Sequence, residues 1–169
     1  MSPITLRRLQ QFRANRRGYW SLWIFLIIFF ISLIAEGIAN DRPLVVIFED
    51  NLIFPIFETI PETEFGGEFA TEAEYRDEYV RNLIEKEGEI YWPMIRYSYD
   101  TINYDLPVAA PSYPTAENWL GTDDQGRDVV ARLIYGFRIS VLFGLVLTII
   151  SSIVGVTAGA VQGYFGGRI

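Results

Sequence analysis

The feature that most constrains this chain is a stretch from Ile139 to Val161 without a single charged residue. A second uncharged stretch, Tyr19-Trp-Ser-Leu-Trp-Ile-Phe-Leu-Ile-Ile-Phe-Phe-Ile-Ser-Leu-Ile-Ala35, holds until Glu36. A helix needs roughly 20 apolar residues to cross the hydrocarbon core of a bilayer. Both stretches reach that length once Gly37 to Ala39 join the first. A surface helix of a soluble protein keeps a polar face, and neither stretch has one. Two transmembrane helices, 19–39 and 139–162, are therefore expected.

The charges around these stretches set an orientation. Five arginines (Arg7, Arg8, Arg13, Arg16 and Arg17) and no acid precede Gly18, whereas residues 40–118 hold 17 acids and five bases. Basic flanks stay in the cytoplasm, so residues 1–18 are expected there and residues 40–138 outside, in the periplasm of a cell with an inner membrane. The second helix then returns the chain to the cytoplasm, where 163–169 with Arg168 would begin a loop. Arginines ahead of an apolar run, with Gly37-Ile38-Ala39 behind it, also fit a cleaved signal peptide. The run is longer than a signal core, however, and Tyr19, Trp20 and Trp23 form an interfacial aromatic belt, so an anchor is expected.

The 169 residues include no histidine and no cysteine. That removes thiol nucleophiles, disulfides, imidazole proton relays and most zinc sites. A net charge of −7 argues against a nucleic-acid binder, which normally shows a basic footprint. Paired carboxylates can run glycoside hydrolysis, but the acids of 40–118 read as solvated surface, with Glu72, Glu74, Asp77 and Glu78 near one exposed helix face and no convergence on a cleft. No enzyme is expected.

Within the acidic insert, Leu44–Phe48 and Leu52–Phe54 flank the turn formers Glu49-Asp50-Asn51, which predicts a hairpin. Thr71 with Glu74 matches a capping box, so a helix is expected from there to Gly88, a natural stop. Ile90–Trp92 and Ile95–Tyr97 suggest a strand pair around Pro93. Pro107, Pro111 and Pro114 then punctuate a connector.

The most distinctive string is Trp119-Leu-Gly-Thr-Asp-Asp-Gln-Gly-Arg-Asp128. Gly121 permits a tight turn, and Thr122 with Gln125 forms a second capping box. Asp123 with Arg127, and Asp128 with Arg132, have the spacing of i,i+4 helix pairs. Val129, Val130, Leu133, Ile134 and Phe137 make an apolar stripe, with Arg127, Arg132 and Arg138 able to reach headgroups. The expectation is a capped amphipathic helix, 119–138, lying at the membrane surface. The acids do not alternate as in an EF-hand and lack its closing glutamate, so no metal is expected. In the second span Ser140, Gly144, Thr148, Ser152, Gly155, Gly159 and Gly163 recur on one side, the pattern that lets another helix approach closely in lipid.

The string from Trp119 to Ser140 closely resembles the signature of the inner-membrane permease subunits of oligopeptide, dipeptide and nickel ABC importers. Gly163-Tyr-Phe-Gly-Gly167 continues the pattern. Asn15–Phe25, Ala39–Leu44 and the long acidic insert narrow the resemblance to permeases of the peptide importer that also admits microcin C. The resemblance implies a fold class: an α-helical membrane protein in which these two transmembrane helices belong to a permease of about six spans. A mixed α+β extracytoplasmic insert and the interfacial helix complete it. It implies a second permease subunit, two cytoplasmic ATPase subunits, a periplasmic substrate-binding protein and membrane lipid as partners, with no nucleic acid. ATP would be used by the ATPase partners, so no cofactor, catalytic residue or metal ligand is expected here, and no Walker lysine motif is present. Gly121, Thr122, Asp123, Gly126, Arg127 and Asp128 would be structural or interfacial signature residues, and Gly144, Gly155, Gly159 and Gly163 helix-packing residues. The sequence stops before the family's ATPase-docking loop, so an N-terminal fragment is expected. The alternative is a membrane-anchored extracytoplasmic sensor or binding module.

Overall fold

A computed structural model describes residues 3–166. In chain order the elements are α1 (Pro3–Ala14), α2 (Arg16–Leu33), α3 (Ala35–Ile38), β1 (Val45–Phe48), β2 (Asn51–Ile53), a 3-10 turn (Glu62–Phe65), α4 (Glu78–Glu87), β3 (Gly88–Tyr91) and α5 (Val129–Phe165). They divide into two compact units, one within Met1–Phe30 and Gly136–Ile169, the other Ile31–Tyr135. The expected cytoplasmic segment falls partly outside this range, since Gly167, Arg168 and Ile169 lie outside the described residues.

The first unit is built from apolar helices. α2 and α5 are both long and apolar enough to cross a membrane. Phe25 meets Phe137 edge-on, ring centroids 5.8 Å apart. Most of their large side chains are exposed, among them Trp20, Ile24, Phe143, Ile149 and Val156. In water so much apolar surface would be strongly unfavourable; in lipid it is the solvated state. Asn15 separates α1 from α2, and its side-chain oxygen accepts a hydrogen bond from the Gly18 amide at 3.3 Å, as an N-cap does.

The first span is shorter than expected. α2 ends at Leu33, and Ala35 and Ala39 are fully buried among Ile95, Tyr97, Ala131 and Tyr135. Asn40 and Ile95 supply the reason: the Asn40 amide donates to the Ile95 carbonyl at 3.1 Å, and the Ile95 amide to the Ile38 carbonyl at 2.9 Å. Residues 35–39 therefore belong to the polar lobe, whose backbone satisfies them.

That lobe, the second unit, is organised on a three-stranded antiparallel sheet in the order β2-β1-β3. The expected hairpin is present, with Val46 opposite Ile53 and Phe48 opposite Asn51. Glu49 and Asp50 take positive φ values of 48° and 62°, the backbone that matches strand twist in a two-residue turn. Alternate residues Val46 and Phe48 face inward and pack with Phe65, Ala73, Tyr75, Val80 and Ile84. Phe65 sits edge-on to both Phe48, at 5.4 Å, and Tyr75, at 5.9 Å.

Two expected elements differ. The helix does not begin at Thr71: Glu72 bridges Pro61 in an extended pairing and the Ala73 amide donates to Ile60. α4 begins at Glu78 instead, with Asp77 as N-cap accepting from the Tyr79 amide at 2.8 Å. The competing backbone pairing wins because it buries Ala73 and Tyr75 in the core. The second strand pair is also absent, since only β3 joins the sheet and Ile95 forms an isolated bridge with Ala39.

Candidate functional site

The signature string folds as a turn, not as the start of a helix. Gly121 has φ +74° and Gly126 φ +81°, values that L side chains rarely adopt. A Cβ on Gly121 would collide with the Ser112 carbonyl oxygen. The Thr122 amide donates to that same oxygen at 3.1 Å, and the Thr122 hydroxyl accepts from the Ser112 amide at 3.0 Å. Thr122 also bridges Asp128 across the turn. The proline-punctuated connector is thus stitched to the signature.

Asp123 is the hub of the exposed side. Its Oδ1 accepts from the Gln125 and Arg127 amides, each at 2.9 Å, and its Oδ2 accepts from Arg127 Nε at 2.9 Å. Arg132 also pairs with it. Partial burial opposes its charge, but the Arg127 and Gln125 hydrogen bonds and the Arg127 guanidinium outweigh that and hold the carboxyl down at about 2. The expected Asp123–Arg127 pair therefore exists, at 2.8 Å, but in a turn. The expected Asp128–Arg132 pair does not, because Arg132 turns to Asp123.

Asp128 is the hub of the buried side and is wholly inaccessible. Its Oδ1 accepts from the Ala131 amide at 2.8 Å, which makes it the N-cap of α5, where the helix dipole favours negative charge. Its Oδ2 accepts from Asn118 Nδ2 at 2.9 Å, and Asn118 Oδ1 accepts from Asn103 Nδ2 at 3.2 Å. α5 then runs unbroken from Val129 to Phe165. This overturns the separate interfacial helix over 119–138: residues 119–128 are a capped turn, and 129–138 are the first turns of α5. Of the expected apolar stripe, Val130 and Ile134 do pack on the lobe, but the residues buried there are Ala131 and Tyr135, and Leu133 is exposed. The Tyr135 hydroxyl donates to the Ala39 carbonyl at 2.9 Å.

The six signature residues, Gly121, Thr122, Asp123, Gly126, Arg127 and Asp128, are thus brought together in one turn. Their partners Ser112, Asn103 and Asn118 were missed by sequence reasoning. They lie up to 25 positions upstream in an aperiodic connector, and only the abundance of prolines there hinted at fixed structure. The packing glycines Gly144, Gly155, Gly159 and Gly163 lie along α5, and a Cβ at any of them would meet nothing within 4 Å.

The expectation that the insert's acids do not converge is corrected. Glu72, Glu74 and Asp77 line one cleft of 640 Å³ together with Asp41, Asp100 and Asp105. Part of that charge is used internally: Glu72 pairs with Arg42 at 2.5 Å, and Asp41 accepts from the Thr101 hydroxyl at 2.9 Å. Tyr75 lies at the cleft's base, 3% exposed, with its hydroxyl unbonded, and burial pushes that hydroxyl up to about 12. Among the described residues no group of three acids is placed to hold a metal ion.

Two helices long and apolar enough to cross a membrane precede and follow a folded polar lobe in the chain, the pattern of an α-helical membrane protein. No family model and no solved structure matches the chain. Among curated proteins it is 49% identical over 169 residues to the inner membrane ABC transporter permease protein YejE of Escherichia coli, covering 100% of this chain and 50% of that one. It is 50% identical over 190 residues to the peptidoglycan transport system permease protein YejE of Agrobacterium fabrum, covering 98% and 50%. A shorter match, 50% over 56 residues, reaches the dipeptide transport system permease protein DppC of Bacillus subtilis, covering 33% and 18%. The chain is similar across its whole length to these two YejE transport permeases, and it spans about half their length. These relatives are named as transport permeases, not as enzymes.

Proposed function

We propose that the chain acts within a transmembrane permease subunit of an ATP-driven importer of peptides in the inner membrane. The observation that carries this reading is its near 50% identity, over the full chain, to an inner membrane ABC transporter permease and a peptidoglycan transport system permease, joined by the shorter match to a dipeptide permease. The pair of apolar helices supports it physically, because a permease must present lipid-facing helices and a polar path between the two sides. In this reading α2 and α5 are two of about six spans. The small-residue side of α5, with Gly144, Gly155, Gly159 and Gly163, packs against other permease helices, including those of a second permease subunit. Two cytoplasmic ATPase subunits supply the driving force, and a periplasmic binding protein delivers oligopeptides, with microcin C-like peptide conjugates as a further substrate class.

The membrane orientation follows from charge. Residues 1–18 lie in the cytoplasm and about 40–138 in the periplasm, so the acidic lobe faces the arriving binding protein. The signature turn caps the lobe-proximal end of α5.

The decisive experiment is peptide uptake. Cells whose only peptide permease is the one containing this chain should accumulate a labelled tripeptide in a manner that requires ATP and the binding protein. Uptake unchanged after disruption of the gene would overturn the proposal.

A further inference from the structure

We infer that the polar lobe carries a recognition site for the carboxylate of a short peptide, in a second cleft built from Arg76, Arg81, Trp92, Arg96 and Tyr97. The cleft has a volume of 530 Å³, within the range of small-ligand sites. The inference rests on the peptide-import reading and names the chemistry that one part of the lobe would recognise.

The case begins with where the lobe's positive charge goes. Residues 40–118 hold only five bases, Arg42, Arg76, Arg81, Lys86 and Arg96, against 17 acids. Three of the five line this one cleft. Random placement among so many carboxylates would give ion pairs. Arg42 indeed makes one, but among the described residues Arg76, Arg81 and Arg96 make none. Two carboxylates, Asp105 and Glu117, share the cleft wall without reaching ion-pair distance of the guanidiniums. Three like charges held together unpaired repel one another, and an anion entering between them removes that repulsion.

The arginines are also positioned for such a ligand. The Arg76 guanidinium lies over the Tyr97 ring at 4.3 Å, and that of Arg96 over Trp92 at 5.5 Å. A cation–π contact supports a guanidinium without using its N–H donors on a protein acceptor. Those donors match the two oxygens of a carboxylate in the fork geometry peculiar to arginine. Arg76 and Arg81 are half-buried, which limits competition from water. The half-buried indole of Trp92 offers the apolar surface on which the side chain next to that carboxylate can rest.

The test uses the full chain in phosphatidylcholine nanodiscs and calorimetric titration with the tripeptide Ala-Ala-Phe, as the free acid and as its C-terminal amide. The free acid should bind about tenfold or more tightly than the amide, the scale of one charge-assisted bidentate contact. The double variant R81Q/R96Q should lose affinity for the free acid by a similar factor, R81K/R96K should retain part of it, and K86Q should match the wild type. Near-UV circular dichroism on each variant shows whether the lobe remains folded. Equal affinity for acid and amide, or no binding to the wild type, overturns the site. So does an R81Q/R96Q variant that loses affinity for the binding protein alone, since the cleft is then a protein-docking surface. Uptake by the assembled transporter is scored separately: uptake without tripeptide binding here removes this site and leaves the import reading intact.

Discussion

At the scale of single residues, the signature turn concentrates the strongest constraints. Gly121 combines a left-handed backbone with a direct collision for any Cβ against the Ser112 carbonyl, whereas a Cβ on Gly126 would come no closer than 3.2 Å to the Asn103 carbonyl. Gly121→Ala should therefore cost about 2–3 kcal/mol in unfolding free energy, and Gly126→Ala about 1 kcal/mol. A denaturant titration in detergent that ranked them equally would contradict the geometry. Asp123 gives a pH signature. Its carboxyl is held at about 2 against an ordinary 3.8. A depressed acid contributes stability that is complete above its unfolded value and is lost as pH falls through its folded value. The stability gap between wild type and Asp123→Asn should thus be constant from pH 7 to about 4 and close between 4 and about 2; a gap that widened on acidification would reverse the sign. The residue types of this turn were legible in the sequence, because glycine and paired opposite charges have local meanings. The roles of Asp128 and Arg132 were not, because local spacing offered them a helical ion pair while Asn118 and Asp123 offered each a partner fixed by tertiary structure.

At the scale of elements, success and failure in reading the sequence divide along the same line. The hairpin was legible because turn formers lay between two short apolar runs, a pattern complete within eleven residues. Both capping boxes misplaced their helices. Thr71–Glu74 and Thr122–Gln125 each have the right spacing, but Glu72 forms an isolated bridge with Pro61, and the Thr122 amide is bonded to the Ser112 carbonyl. In both cases the working cap is an aspartate several residues later, Asp77 or Asp128. Capping potential is worth about 1 kcal/mol, less than the burial of a tyrosine or the closure of a buried polar network, so packing decides. The sheet makes a corresponding prediction. Phe65, 2% exposed between Phe48 and Tyr75, should cost about 3–5 kcal/mol when replaced by alanine. Leu52 on the outer face of β2, 65% exposed, should cost within about 0.5 kcal/mol. Parallel thermal melts of Phe65→Ala and Leu52→Ala check the contrast, and similar losses would mean that the core is not where the packing places it.

At the scale of the whole molecule, the question is how an acidic lobe and two apolar helices share one membrane. α5 has 37 residues and is therefore about 55 Å long, against a hydrocarbon core of about 30 Å. The excess must emerge into water or headgroups on at least one side. Its charged residues, Arg132 and Arg138, both lie in the first three turns, near the Asp128 cap, and Ile139 to Val161 carry none. On the proposed reading the lobe end of α5 is thus the emergent end, and the uncharged remainder is the spanning part. The same reasoning applied to α2 puts Arg16 and Arg17 at its opposite end from the lobe. With 17 acids in residues 40–118 and five arginines before Gly18, charge favours one arrangement, the lobe outside and the arginines inside. The sequence offers a way to test it, because these 169 residues contain no cysteine and an introduced thiol is the only one among them. Glu85→Cys, on the exposed side of α4, should react with a membrane-impermeant maleimide on intact spheroplasts. Arg8→Cys, on α1, should react only after the membrane is permeabilised. The opposite pattern would place the basic tail outside and would remove the lobe from the side on which a substrate-binding protein could reach it.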